Sequence, residues 1–183
     1  MALGAAPDQV VGVLRALERG GVLVWLAGGW AVDALLGQVT RPHLDIDVRI
    51  LPEQVARFSE LLMDRGLDLQ TRTEGGVIAC GSGLVVTSTW CGHGQSAPLS
   101  HPRIGIPCSW QPLGRIDGAA VRCLSWAGVY LDYLFMEQVV PRRFWRPKDM
   151  VGLAHAHRAL GQVGREALQD HLQRYGMTGR RAR

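Results

Sequence analysis

Hydrophobic and polar positions follow two rhythms along this chain. Over residues 8–19, Val10, Val11, Leu14 and Leu17 recur at helical spacing, with Asp8 opening the helix and Gly20–Gly21 closing it. "VLVWLA", 22–27, is an unbroken apolar run of strand length and predicts a buried strand. Gly28–Gly29 interrupt it, and "WAVDALLG", 30–37, predicts a short helix ended at Gly37. "LDIDVRI", 44–50, predicts a second strand. "PEQVARFSELLMDRG", 52–66, predicts a helix with Pro52 in its first turn and Gly66 at its end. Three short strands are predicted next, at 67–72, 76–81 and 84–90, with glycine-rich punctuation between them.

The pattern then changes twice. Residues 91–113 are rich in Gly, Pro, Ser and His and predict a long irregular excursion, a kind of loop that often carries function. "GRIDGAAVRCLS", 114–125, predicts a hairpin turning at Asp117–Gly118. From Ser125, a candidate N-cap, three helices are predicted, over 125–140, 147–160 and 164–176. The expected architecture is a mixed α/β domain over 1–124 followed by an all-helical domain over 125–183.

Composition narrows the classes. The chain has 183 residues, 47% hydrophobic and 20% charged, enough for a real core. No apolar run is long enough to span a bilayer, and the first residues lack the early charge and apolar core of a signal peptide. A cytoplasmic protein is expected. None of Cys80, Cys91, Cys108 and Cys123 forms a C-x-x-C pair, so they predict reduced, hydrophobe-like side chains and no zinc site. The net charge is +4, and Lys148 is the single lysine among 20 basic residues. Basic residues crowd at 141–148 and 179–183, without the aromatic–basic signature of nucleic-acid recognition.

Candidate chemistry concentrates in one place. Asp45 and Asp47 are two apart on a predicted strand, so their carboxylates share a face and repel. A divalent cation would neutralise them. Upstream, a buried strand runs into Gly28–Gly29 and a helix follows at once, which brings backbone and unpaired N–H groups close to an anion. A phosphate cradle beside a carboxylate pair is the equipment for chemistry on a nucleoside triphosphate.

"GGWAVDALLGQVTRPHLDIDV", 28–48, resembles the signature of the antibiotic nucleotidyltransferases of the polymerase-β superfamily, most closely the aminoglycoside 2″-O-nucleotidyltransferases. "VRCLSWAGVYLDYLF", 121–135, and "WRPK", 145–148, resemble their helical domain. The resemblance implies a nucleotidyltransferase-type mixed sheet with flanking helices, and a small-molecule acceptor in the cleft between the two domains. It implies Asp45 and Asp47 as Mg²⁺ ligands, a nucleoside triphosphate co-substrate, Gly28 and Gly29 as the phosphate turn, and Arg41, His43 and Lys148 as phosphate partners. The family's third carboxylate, a general base on the acceptor hydroxyl, should fall at Val86, or at Thr87 if the register moves by one. That strand has no acid. Asp68, Glu74 and His93 are the remaining candidates, with nothing in the sequence to position them.

Segment 91–116 also lacks any Asp or Glu and carries His93, His101, Arg103, Trp110 and Arg115, with Trp90 beside it. Polycations need acidic linings, so a neutral, anionic or aromatic antibiotic-like acceptor is expected. Two rival readings stand beside a weakened nucleotidyltransferase. One is a repurposed fold acting on a natural-product-like molecule without nucleotide or metal. The other is a non-catalytic small-molecule-binding protein. At the level of single residues, Trp25 and Trp30 fit a core, Asp33 fits a helix cap or a supporting role, and Lys148 could pair with Asp149. His155 and His157, at i and i+2 of a helix, do not share a face for a metal.

Overall fold

The computed structural model describes residues 4–71, 76–81, 83–90, 96–97, 106–107 and 113–174. Helix α1 (Pro7–Arg19) begins with Pro7 at a position where the missing N–H costs nothing. It buries Val10, Val11, Val13, Leu14 and Leu17. Strand β1 (Val24–Leu26) is buried throughout. Helix α2 (Gly28–Leu36) starts on the glycine pair itself and stops at Gly37, whose φ of 72° suits a residue without a Cβ. Strand β2 (Ile46–Ile50) follows, then a single 3₁₀ turn (Pro52–Gln54) leading into α3 (Val55–Met63). Strands β3 (Asp68–Thr71), β4 (Gly76–Gly81) and β5 (Leu84–Trp90) complete the main sheet.

The sheet order is β1-β2-β5-β4-β3. Only the β2–β5 pair is parallel, which places these two strands side by side at its centre. Ile46, Val48, Ile50 and Val86 point into one core with Leu17, Leu26, Trp30, Phe58 and Leu62, and Trp25 and Trp30 are both buried. Within the stretch expected to be irregular, β6 (Ser96–Ala97) pairs antiparallel with β7 (Ile106–Pro107). The rest of that stretch lies outside the described residues.

Strands β8 (Leu113–Ile116) and β9 (Ala119–Arg122) form the expected hairpin, with Asp117 at φ 48° and Gly118 at φ 75° in its turn. The chain then returns to the sheet: Leu124 N donates to Leu26 O at 2.9 Å. Ser125 caps α4 (Trp126–Val139), its hydroxyl accepting from Gly128 N at 3.2 Å. Helix α5 (Pro147–Arg174) is broken at Gly161, φ 59° and ψ −171°, so two helical segments meet there. Beyond the main core, Ala127 and Leu131 of α4 pack on Leu168 and Leu172 of α5. Cys123 is buried, and burial pushes its thiol up to about 11; Cys80 is half-buried and free. Cys91 and Cys108 lie outside the described residues. No helix among the described residues is long and apolar enough to cross a membrane.

Candidate active site

The site begins at the junction of β1, α2 and β2. Strand alternation sends Ile46, Val48 and Ile50 into the core and leaves Asp47 and Arg49 on the opposite face. Asp45 immediately precedes the strand. Burial raises its carboxyl above the ordinary value and the charge of Asp47 adds to the rise, against the pull of Lys148, Arg146 and His43. The charges of Asp45 and Asp47 thus work against each other, and nearby cationic or ionisable side chains partly offset them.

The glycine turn lies directly on this pair. Ala27 N donates to Asp47 O at 2.7 Å, fastening the turn to β2. Gly28 adopts φ 57°, and a Cβ there would run into the Asp47 carboxylate. A Cβ on Gly29 would run into the guanidinium of Arg41 and the ring of His43. Both positions require glycine for close approach, as the sequence pattern implied.

His43 buttresses this turn from below. It is 3% exposed, and its Nε2 is hydrogen-bonded to Asp33 Oδ2 at 2.6 Å. Its ring lies 4.4 Å from that of Trp30. Thr40 Oγ1 donates to the other Asp33 oxygen at 2.5 Å. Burial alone would raise the Asp33 carboxyl; the bonds from His43 and Thr40 outweigh it and hold it below the ordinary value. Sequence reading missed this buried pair, because nine intervening residues and the end of α2 separate its members.

The register of β5 separates the two positions expected for the third acid. Ile46 pairs with Val86 and Asp47 with Thr87. Val86 is fully buried in the core, on the wrong face for chemistry. Thr87 stands beside Asp47, and its hydroxyl donates to Asp47 Oδ1. The position facing the carboxylate pair is therefore occupied by a hydroxyl. Of the other candidate bases, Asp68 sits on β3 at the outer edge of the sheet, separated from β5 by β4. Glu74 and His93 lie outside the described residues, as do His101, Arg103 and Trp110.

The C-terminal helices pack on α2 and reach β2 through an ion pair. Lys148, half-buried, opens α5, and Arg146 precedes it. Asp149 is taken by Arg146 rather than Lys148: it accepts from Arg146 N, Nε and Nη2 at 3.0, 2.9 and 3.0 Å. Burial would raise Asp149, and these bonds hold it low instead. From β2, Arg49 Nη2 donates to Asp132 Oδ2 of α4 at 2.8 Å. Tyr133 joins the cluster unannounced by the sequence reading, packed against Gly152. Burial first, then Asp149 and Asp132, push its hydroxyl up to about 12, with Arg41 and Arg146 opposing.

The donor set suits a hard divalent cation. Asp45 and Asp47 offer hard carboxylate oxygens, and no group of three His, Cys, Asp or Glu gathers among the described residues. That fits Mg²⁺, which uses one or two carboxylates and fills its shell with phosphate oxygens and water.

The model of the aminoglycoside-2″-adenylyltransferase family matches residues 9–174. The chain belongs to that family. It is 29% identical to a 2″-aminoglycoside nucleotidyltransferase of Escherichia coli over 159 residues, covering 86% of this chain and 89% of the relative. Among solved structures it is similar to ANT(2″)-Ia in complex with adenylyl-2″-tobramycin, with a TM-score of 0.78, 26% identity, and coverage of 92% and 98% of the two chains. The lincosamide antibiotic adenylyltransferase LnuA, in its lincomycin-bound structure, shares the fold at a TM-score of 0.66 and 18% identity, over 84% of this chain and 97% of that one. The nucleotidyltransferase fold expected from residues 28–48 is thus the fold of the family.

Proposed function

We propose that this chain transfers a nucleoside monophosphate from a nucleoside triphosphate to a hydroxyl of a small antibiotic-like molecule, in the cleft between the sheet and the C-terminal helices. The observation that carries this reading is the close assembly of Gly28 on the Asp47 carboxylate, with Lys148 and Arg146 acting on Asp45 from the helical side. Asp45 and Asp47 would hold Mg²⁺, which supplies positive charge against the phosphate oxygens. The chain's own residues do the rest. Lys148, Arg146 and Arg41 offer cations to the phosphates, and the glycine turn admits them close to the backbone. Asp33 and His43 keep that turn in place. The acceptor hydroxyl attacks the α-phosphorus in line, and pyrophosphate leaves.

Thr87 sets the pace. A threonine hydroxyl does not take a proton near neutral pH, so among the described residues the position beside Asp47 supplies none of the base assistance worth ~10²–10⁴-fold in rate. Slow transfer is expected. The same residue favours, as the second reading, a protein that binds nucleotide or antibiotic without turnover.

Calorimetric titration with a non-hydrolysable ATP analogue, with and without Mg²⁺, tests the proposal together with pyrophosphate release over a panel of hydroxylated antibiotics. Binding that needs Mg²⁺ and disappears in Asp47→Asn is expected. The variant's metal-free stability should hold or rise, because Asp47 is one of the charges that oppose ionisation of Asp45. Nucleotide binding without transfer selects the second reading. A folded protein that binds neither nucleotide nor any antibiotic of the panel refutes both and leaves the repurposed pocket.

A further inference from the structure

Thr87 lies in the middle of the sheet, between Asp47 of β2 on one side and Ile78 of β4 on the other. It is 8% exposed, and a β-branched side chain has few rotamers to choose from. Its hydroxyl is therefore a fixed donor, and it is directed at Asp47 Oδ1. The other oxygen of the same carboxylate faces the glycine turn: Asp47 Oδ2 is the atom that a Cβ on Gly28 would meet first. The two oxygens thus have different surroundings. Oδ1 is tied to the neighbouring strand, and Oδ2 is turned toward the backbone proposed to receive the phosphates.

This asymmetry bears on the cation. A carboxylate that binds a metal with both oxygens must turn them toward it together, and Oδ1 would then have to loosen its bond from Thr87. Ca²⁺ gathers about six to eight oxygens and readily takes carboxylates in that bidentate way. Mg²⁺ keeps a tight octahedron, uses single carboxylate oxygens and fills the remainder with water and phosphate. Holding Oδ1 on Thr87 therefore deprives Ca²⁺ of a ligand and leaves Mg²⁺ unaffected. We propose that Thr87 is a positioning residue that selects the cation: by engaging Asp47 Oδ1 it leaves Oδ2 as the one oxygen this carboxylate offers, and favours Mg²⁺ over Ca²⁺. This inference rests on the transfer reading above in taking Asp45 and Asp47 as the metal's ligands.

Mn²⁺, an octahedral ion that takes the same oxygen ligands and is visible by electron paramagnetic resonance, serves as the probe. It is bound to the full chain without nucleotide and displaced by Mg²⁺ or by Ca²⁺. Wild type should release Mn²⁺ to Mg²⁺ at lower concentration than to Ca²⁺. Thr87→Val keeps the shape and removes the hydroxyl, so the Mg²⁺-over-Ca²⁺ ratio should fall about threefold or more, through tighter Ca²⁺ binding. Thr87→Ser keeps the hydroxyl and should keep the wild-type preference. A hydroxyl that merely supports the fold would lower the melting temperature of Thr87→Val and shift both affinities together, with their ratio unchanged. That outcome overturns the proposal, as does a wild type that prefers Ca²⁺. If Thr87→Val fails to fold, Thr87→Ala carries the same prediction. A wild type that binds no Mn²⁺ removes Asp45 and Asp47 as ligands and the proposal with them. The ATP-analogue titration with and without Mg²⁺ reports separately on the transfer reading: an unchanged ratio beside Mg²⁺-dependent nucleotide binding refutes the role of Thr87 alone.

Discussion

Val86 and Thr87 are chain neighbours with opposite fates. One is sealed in the core, and the other donates its hydroxyl to Asp47. A parallel strand shifted by one residue exchanges its two faces, so the pair of substitutions reads the register directly. Thr87→Asp places a carboxylate beside the metal pair and should raise pyrophosphate release with any accepted hydroxyl. Val86→Asp buries an unpaired carboxylate and should cost several kcal/mol, of order ~3 or more, with loss of cooperative unfolding at ordinary temperatures. A Val86→Asp protein of normal melting temperature, beside an inert Thr87→Asp, would refute this assignment. The sequence showed that the strand lacks an acid. It could not say which residue faces Asp47, because parity is set by pairing with β2 and not by the strand's own pattern. The same limit applies to His43. A phosphate partner was expected from the motif, and burial against Asp33 and Trp30 follows from packing that no local pattern encodes.

At the scale of elements, the periodic segments were legible and the junctions less so. The residue spacing of α1, the Ser125 cap of α4 and the Asp117–Gly118 turn were readable because each has a local physical cause. The expected helix over 52–66 divides into a 3₁₀ turn and α3, and the two expected C-terminal helices meet at Gly161. The junction that matters most is the glycine turn into α2. Gly28 and Gly37 bracket this helix, both with positive φ, which makes them controls for each other. At Gly37 nothing lies within 4 Å of an added Cβ. Gly37→Ala should therefore cost only the left-handed strain, about 1–2 kcal/mol, and leave nucleotide binding intact. Gly28→Ala meets the same strain and the Asp47 carboxylate as well. It should destabilise more and abolish nucleotide binding. Thermal melts with the ATP-analogue titration check both, and equal effects at the two glycines would show that Gly28 is merely a turn.

At the scale of the molecule, buried titratable groups make folding sensitive to pH at both ends. Asp33 and Asp149 are held below their ordinary value once their hydrogen bonds have overcome burial. A lowered carboxyl contributes stability that is complete above its unfolded pKa of 3.8 and fades as pH falls through the folded value. Asp45 has the opposite sign: its raised carboxyl favours the fold below 3.8, and that contribution is lost as pH rises through the folded value. Acid unfolding should therefore be shallower in the metal-free protein than Asp33 and Asp149 alone would make it. On the alkaline side, burial raises Cys123 from 9.0 to about 11 and Tyr133 from 10.0 to about 12. Both are protonated more firmly in the folded chain, so their contribution is complete below the unfolded values and is lost as pH rises through the folded ones. The melting temperature of the metal-free protein should fall steadily above pH 9–10. Tyr133→Phe removes one of the two ionisations and should flatten that fall, most visibly between pH 10 and 12, while leaving the acid limb unchanged. An alkaline limb as steep in Tyr133→Phe as in the wild type would mean that burial and the neighbouring Asp149 and Asp132 do not hold Tyr133 neutral.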